Sequence, residues 1–188
     1  MNRREFLKKS ALCLLGLALG EGTAHAEIYE PMIYKRFFGF TEYEERPGTD
    51  FLVIHHTGFP VDKDSTAAAI HKFHQEDRGW AGIGYHYLIR KDGMIEQGRL
   101  PDMIGAHSYE CNRRSLGISL AGNFNLVNPT DAQIESVKEL CRYLCEVYNL
   151  DGAKPGVILG HRDLNDTSCP GDNLYSRLPE IREAAVLL

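Results

Sequence analysis

The sequence predicts an α/β domain in which helices flank a mixed central β-sheet, and three observations lead to this class. The short apolar runs at residues 51–54 and 116–120 are typical of buried strands. The segment from residue 130 to residue 148 has the start signal and the apolar period of a helix. The turn Lys91-Asp92-Gly93 joins two further short strands as an antiparallel hairpin. Strands that alternate with helices and include one tight hairpin favour a mixed sheet between helical layers.

The first 26 residues have the three parts of an export signal. Basic residues come first, an apolar run follows at residues 11–20, and a small-x-small cleavage site ends the segment at residues 24–26. The apolar run is too short to span a bilayer, so we expect no stable membrane anchor after cleavage. Arg3-Arg4 is also typical of the bacterial twin-arginine signal, although an ordinary secretory signal with two adjacent arginines fits as well. We therefore expect a protein in the periplasm or outside the cell.

Charge and length limit the function classes for the remaining chain. Removing the signal takes away four basic and two acidic side chains, which changes the formal charge from −5 to −7. An acidic chain without a basic run argues against nucleic acid as a partner. We divide the chain into a signal (1–26), an N-terminal arm (27–45) and one domain (46–188), and we expect a monomer.

The elements before the hairpin can be assigned from local patterns. The arm mixes aromatic and charged residues without a period, so no element is predicted there. The strand at residues 51–54 is apolar throughout and ends at His55 and His56, a common place for site residues in α/β sheets. Asp64-Ser65 is expected to cap a helix that runs to about residue 77. Its buried stripe is predicted to contain Ala69, Ile70 and Phe73.

The second half of the chain alternates strands and helices. Residues 85–90 and 94–98 form the hairpin strands, and residues 116–120 form a central strand. Thr130 and Gln133 make a capping box for the long helix. The apolar stripe of that helix contains Ile134, Val137, Cys141, Leu144 and Tyr148. A short strand at residues 157–160 then leads to His161, and a closing helix begins at about residue 175.

Three side chains on distant segments make a pattern that suits zinc. His161 and Cys169 lie eight residues apart, and the His55-His56 pair lies about a hundred residues upstream. Two imidazoles and one thiolate leave a fourth zinc position open, which is the arrangement of catalytic rather than structural zinc sites. Because side chains alternate along a strand, one histidine of the pair points to the site and the other points away. Pro170 and Gly171 fit the loop that must fold back to the histidines.

Six motifs in order resemble one family. They are the His-His-Thr strand end at residues 55–57, the segments 79–87 and 105–107, Ser-Leu-Gly-Ile-Ser at 115–119, Gly-Asn-Phe at 122–124, and the segment 161–171. The chain resembles the zinc-dependent N-acetylmuramoyl-L-alanine amidases, which share their fold with peptidoglycan recognition proteins and the phage lysozyme-type amidase. The resemblance covers roughly residues 46–178 and implies that fold.

The resemblance implies roles for particular residues. The family's metal ligands correspond to His55, His161 and Cys169, and its assisting tyrosine corresponds to Tyr85. Thr167 occupies the position that is Lys or Thr in the family. A cytoplasmic branch that recycles anhydro-muropeptides has Asp in place of Cys169 and Glu in place of Ser119, so this chain departs from that branch. Substrate-binding roles are expected for Trp80, His107 and Asn112.

The implied activity is hydrolysis of the amide bond between N-acetylmuramic acid and L-alanine of peptidoglycan, with Zn²⁺ as cofactor. Zinc activates water and polarises a carbonyl, while hydroxyls of Tyr85 or Thr167 would stabilise the developing oxyanion. A metal-free module that binds muropeptides without cleaving them is the alternative, although non-catalytic relatives typically lack the cysteine. A third hypothesis is an effector that cuts another cell's wall.

Several other residues have two interpretations. His107 could line the glycan cleft or be a plain loop histidine, and Trp80 could be a core anchor or a platform for sugar stacking. His86 is expected to be a packed, hydrogen-bonded histidine, and His71 and His74 are expected to do no chemistry. Spacing leaves open whether Cys111 forms a disulfide with Cys141 or with Cys145.

Overall fold

The computed structural model of the protein describes residues 28–59 and 64–186, so the predicted export signal lies outside the described residues. Within the described part, strands and helices follow one another in an α/β arrangement. In chain order they are β1 (Ile33–Tyr34), β2 (Phe51–His56), α1 (Ala67–Glu76), β3 (Tyr87–Ile89), β4 (Ile95–Gln97), β5 (Ser115–Leu120), α2 (Asp131–Tyr148), β6 (Ile158–Gly160), α3 (Asp172–Tyr175) and α4 (Leu178–Ala184).

The described strands form one six-stranded sheet in the order β1-β4-β3-β5-β2-β6. β3 and β4 pair antiparallel through the predicted hairpin, and the other neighbouring pairs are parallel. The predicted mixed sheet is therefore confirmed, with β5 at its centre. Because β2, β5 and β6 run in the same direction, their carboxyl ends meet at one edge of the sheet, where site residues collect in such folds.

Helices cover both faces of this sheet. Tyr87 and Ile89 of β3 pack in the apolar cluster that contains the buried face of α2, whereas Leu88 between them packs in a second cluster with Ile70 of α1. Because successive side chains of a strand point to opposite faces, the two clusters lie on opposite sides of the sheet. The central strands β2 and β5 are buried on both faces, as their uninterrupted apolar runs predict.

Helix α1 begins later than predicted and buries a different set of side chains. Its N-cap is Thr66, whose hydroxyl accepts a hydrogen bond from the Ala69 N–H at 3.1 Å, so the expected cap at Asp64-Ser65 is wrong. Ile70 is buried as predicted, but Ala69 is exposed and Phe73 is only half-buried. Ala67 and two histidines take the other buried positions, and each histidine accepts a backbone hydrogen bond that offsets the cost of burying its ring.

Helix α2 has the predicted start and the predicted apolar stripe. The Thr130 hydroxyl accepts from the Gln133 N–H, and the Gln133 side chain accepts from the Thr130 N–H, each at 3.1 Å. The members of the stripe are buried except Tyr148, which is partly buried. The reason for this agreement is that a capping box and a helical period are local patterns.

Both ends of the described chain differ from prediction in detail. The predicted closing helix is two short helices, α3 and α4, which begin at Asp172 and Leu178. The arm contributes β1, which pairs with β4 at the edge of the sheet, and Phe38 and Phe40 of the arm pack on His71. A two-residue strand has no detectable period, so the sequence does not predict it. Among the described residues, no helix is long and apolar enough to cross a membrane.

Candidate metal centre

The side chains of His55, His161 and Cys169 meet at the carboxyl edge of the sheet. One potential ligand atom from each residue lies within 4.8 Å of the other two. The parallel register of β2 and β6 explains the approach of the histidines, because Ile54 lies opposite Gly160 and the next residue of each segment is a histidine. The loop that carries Cys169 folds back over this edge, and Gly171 supports it with a φ of 89°, a conformation that glycine adopts without strain.

Hydrogen bonds indicate which atom of each side chain faces the centre. Nε2 of His55 lies 3.1 Å from Nδ1 of His107. Nδ1 of His55 is therefore the ring nitrogen that faces the centre, 3.6 Å from Sγ of Cys169. Nε2 of His161 lies 3.0 Å from Oδ1 of Asn165, which leaves Nδ1 of His161 free for a ligand. Sγ of Cys169 accepts the backbone N–H of His56 at 3.4 Å. Each candidate ligand therefore has one outer partner, as metal ligands in proteins usually do.

Burial controls the protonation of these groups. It lowers the pKa of His55 well below its usual range, and the nearby His107 and His161 lower it further, so the ring is neutral with a lone pair available. Burial also lowers the pKa of His161, and Asn165 opposes the shift. Burial raises the pKa of Cys169 to about 12, against the His56 N–H and the positive Arg162.

These protonation states fit a metal site. Neutral imidazoles are the form that binds metal, and a thiol that is difficult to ionise in a buried site gives up its proton when a divalent cation takes the proton's place. Two nitrogens and one sulfur suit Zn²⁺, which accepts both donor types at tetrahedral positions. The donor set therefore fits the zinc ion that the sequence predicts.

Tyr85 lies beside the candidate ligands. Its ring centroid is 5.2 Å from that of His55. Burial raises the pKa of Tyr85, the nearby Cys169 raises it further, and the neighbouring Ser119 side chain lowers it. The hydroxyl therefore stays protonated at neutral pH and can act as a hydrogen-bond donor. β3 begins at Tyr87 rather than at residue 85 as predicted, so Tyr85 lies in the segment that leads into the strand.

Thr167 lies on the loop before Cys169. Its hydroxyl oxygen accepts the Cys169 N–H at 3.2 Å, so its own proton remains available to another acceptor. This bond also holds the cysteine loop in place. Thr167 lines a cleft of about 570 Å³ that passes the candidate metal centre.

The same cleft is lined by Trp80, His107 and Asn112, for which substrate-binding roles are predicted. Trp80 is 43% exposed, so it is not a core anchor. His107 is buried and is no plain loop histidine, because its ring contacts His55. Oδ1 of Asn112 accepts the N–H groups of His107 and Ser108 and thereby holds their loop. Contact of these three residues with a substrate stays a prediction.

The remaining histidines lie outside the ligand cluster. Nδ1 of His56 accepts the Phe124 N–H at 3.2 Å, and burial together with Arg162 lowers its pKa to about 4. His86 lies 2.9 Å from the Met103 carbonyl and accepts the Gly117 N–H, so it is the packed histidine that was predicted. His71 and His74 accept the N–H groups of residues 83 and 84 and connect α1 to the segment before Tyr85.

Two features of the site have no clear signal in the sequence. Asn165 accepts hydrogen bonds from the His161 ring, the Ser108 hydroxyl and the Tyr109 N–H, but an asparagine in a loop is too common to identify it. The hydroxyl of Ser119 is buried beside Tyr85, and among the described residues no group lies in normal hydrogen-bond geometry to it. The described cysteines are all free thiols, so the structure contains no bridge from Cys111.

Comparison with known proteins gives consistent matches. The model of the N-acetylmuramoyl-L-alanine amidase family matches residues 44–172. A human N-acetylmuramoyl-L-alanine amidase is 33% identical over 79% of this chain, which spans 28% of the length of that protein. The amidase LysC from Clostridium intestinale is 36% identical with a TM-score of 0.73 and covers 82% of this chain and 97% of its own. A Drosophila PGRP-LB variant solved in complex with tracheal cytotoxin is 31% identical with a TM-score of 0.69, over 78% of this chain and 92% of its own.

Proposed function

Because this chain belongs to the N-acetylmuramoyl-L-alanine amidase family, we propose that it is an exported zinc-dependent hydrolase of peptidoglycan. The bond cleaved is the amide between the lactyl group of N-acetylmuramic acid and L-alanine of the stem peptide. The observation that carries the proposal is the meeting of His55, His161 and Cys169 beside an open cleft. Three protein ligands would leave a fourth position of a zinc ion open, as in catalytic zinc sites.

The residues of the site would have separate roles in amide hydrolysis. His55, His161 and Cys169 would hold the zinc ion, which when bound lowers the pKa of water to about 7 and polarises a carbonyl oxygen. The protonated Tyr85 hydroxyl would donate a hydrogen bond to the oxygen on which charge develops. The Thr167 hydroxyl, whose oxygen already accepts the Cys169 N–H, would direct its proton into the cleft. Trp80 and His107 border the same cleft, where glycan and peptide would lie.

A relative solved with tracheal cytotoxin supports a ligand of the muropeptide class. Binding without cleavage is the competing function, since relatives of this chain also include proteins named for peptidoglycan recognition. The presence of the complete ligand set, together with a partly buried and protonated tyrosine beside it, favours hydrolysis over recognition alone.

Mass spectrometry of muropeptides tests the function directly. After incubation with the zinc-loaded protein, we expect free stem peptides and glycans that carry an unsubstituted lactyl group, with the mass of one water added in total. The Cys169→Ala variant is the control and should leave the muropeptides intact. Unchanged muropeptides with the parent protein would leave only the recognition function. Cleavage at a different bond would mean that the protein is another class of wall hydrolase.

We propose in addition that export follows the twin-arginine route, which transports proteins after they fold. The support is Arg3-Arg4 ahead of a short apolar run. In a bacterial host with this route, changing both residues to lysine should keep the full chain in the cytoplasm while its amidase activity in lysate stays at the parent level. Normal arrival of the double variant in the periplasm would favour the general secretory route.

A further inference from the structure

We propose that His107 is a positioning residue that holds His55 in the tautomer protonated at Nε2, so that Nδ1 of His55 presents its lone pair to the metal. This inference rests on the proposed function, because it takes His55 as a zinc ligand. It gives His107 a role in the site beyond lining the substrate cleft.

The two nitrogens of His55 face different partners. Nδ1 lies 3.6 Å from Sγ of Cys169, and Nε2 lies 3.1 Å from Nδ1 of His107. A neutral imidazole carries one proton and one lone pair, so a ring that ligates through Nδ1 carries its proton on Nε2. That proton can be shared with His107 only if Nδ1 of His107 is an acceptor. His107 therefore carries its own proton on Nε2.

The surroundings of His107 are arranged for this tautomer. Its Nε2 lies 3.5 Å from the hydroxyl of Ser115, a long hydrogen bond. The Ser115 hydroxyl gives its single proton to the Cys111 carbonyl at 2.8 Å, so it can only accept from His107. A carbonyl oxygen can only accept a hydrogen bond. The Cys111 carbonyl therefore determines the donor and the acceptor in each hydrogen bond of the series that runs from His55 through His107 and Ser115.

Close packing holds the His107 ring in place. A Cβ atom at Gly105 would lie 2.4 Å from the ring, and a Cβ atom at Gly117 would lie 2.5 Å from it. Any larger residue at either position would displace the ring, so both glycines leave the space that His107 occupies. The ring meets that of His55 at 82°, with centroids 5.0 Å apart, and Asn112 holds the His107 backbone.

The contacts above determine the two tautomers, and burial lowers the pKa of both rings as well. Burial lowers the pKa of His107 well below its usual range, and the neighbouring His86 and His161 lower it further. The Ser115 main chain opposes this shift. Burial and the neighbouring histidines lower the pKa of His55 in the same way.

The two histidine ligands differ in how their tautomers are determined. Nε2 of His161 faces the amide oxygen of Asn165, which can only accept a hydrogen bond. This one contact is sufficient to place the His161 proton on Nε2. Nε2 of His55 faces another imidazole, which either accepts or donates according to its own tautomer. The tautomer of His55 therefore depends on the series of hydrogen bonds through Ser115, whereas the tautomer of His161 does not.

The first test reads the tautomers directly. In ¹⁵N-labelled protein, long-range ¹H–¹⁵N correlation spectra of the imidazole rings distinguish the two neutral tautomers. We expect protons on Nε2 of both His55 and His107 in the zinc-loaded protein. A proton on Nδ1 of His107 would overturn the proposal. This experiment uses the unaltered protein, so it does not depend on whether a variant folds.

The second test measures zinc affinity by competition with a chelator. His107→Leu should lower the affinity about 10–100-fold, as the loss of an outer partner of a ligand does. His107→Gln should recover part of it, because an amide oxygen can accept the His55 proton. His71→Leu is the control, since His71 is similarly buried, accepts the Ile83 N–H and contacts none of the candidate ligands.

The outcomes separate this inference from the proposed function. Equal zinc affinity in His107→Leu and the parent, or an equal loss in His71→Leu, would overturn the positioning role. Absence of zinc binding in the parent protein would instead refute the proposed function.

Discussion

Replacing Cys169 with alanine is expected to reduce bound zinc from about one equivalent to a small fraction and to abolish amidase activity with it. The side chain supplies the one sulfur among the candidate ligands. Loss of a residue that is hydrogen-bonded to a ligand lowers metal affinity about 10–100-fold, and loss of the ligand itself should lower it more. Elemental analysis of the purified variant measures the effect. Cys111→Ala is the matched control, because Cys111 is a free cysteine outside the cluster.

Near-stoichiometric zinc in the Cys169→Ala protein would contradict the assignment. The choice between the adjacent histidines can be checked in the same assay. His55→Ala should lose zinc, whereas His56→Ala should keep it, because the His56 ring accepts a hydrogen bond from Phe124 on the other face of β2. The reverse pattern would mean that His56 is the ligand.

Replacing Tyr85 with phenylalanine is expected to leave zinc and fold intact and to lower kcat by at least about tenfold, up to the 10²–10³ that loss of an oxyanion donor typically costs. The tyrosine is no member of the ligand cluster, and its hydroxyl stays protonated because burial raises its pKa. Because the donated bond would form mainly in the transition state, we expect KM to change little. Steady-state kinetics on a soluble muropeptide measure both constants.

Two further variants make the Tyr85 result specific. Tyr87→Phe is the control, since Tyr87 is a buried tyrosine that packs in the cluster on the opposite face of the sheet from Tyr85. Its activity should equal that of the parent. Thr167→Ala should lower turnover more mildly, because ordered water can replace its hydroxyl. Parent rates in both Tyr85→Phe and Thr167→Ala would refute the role of these hydroxyls in stabilising the oxyanion.

Much of the fold is encoded in local patterns and can therefore be predicted. The capping box at Thr130 depends on residues three positions apart, and the apolar stripe behind it repeats with the helical period. The buried strands and the hairpin at Lys91-Asp92-Gly93 have equally local signals. These features persist in the structure because the tertiary packing agrees with the local preference.

Other features depend on contacts that no local pattern contains. β1 is a strand because its two residues pair with Ile95 and Glu96 of β4, and α1 buries two histidines because residues 83 and 84 donate to them. Trp80 remains exposed at the cleft although its size suits a core. Local propensity is a weak determinant where a distant partner supplies the hydrogen bond or the packing surface.

The candidate site combines both kinds of information. By itself the sequence predicted a donor set that suits zinc and the opposite directions of His55 and His56, because residue chemistry and strand alternation are local properties. The export signal that it also predicts stays a prediction. Only the tertiary structure decided that His107 contacts His55 from 52 positions along the chain and that Asn165 contacts His161. The tautomers of the candidate ligands, and hence the atoms they offer to a metal, are determined by such partners, which come together only when the sheet and its loops are folded.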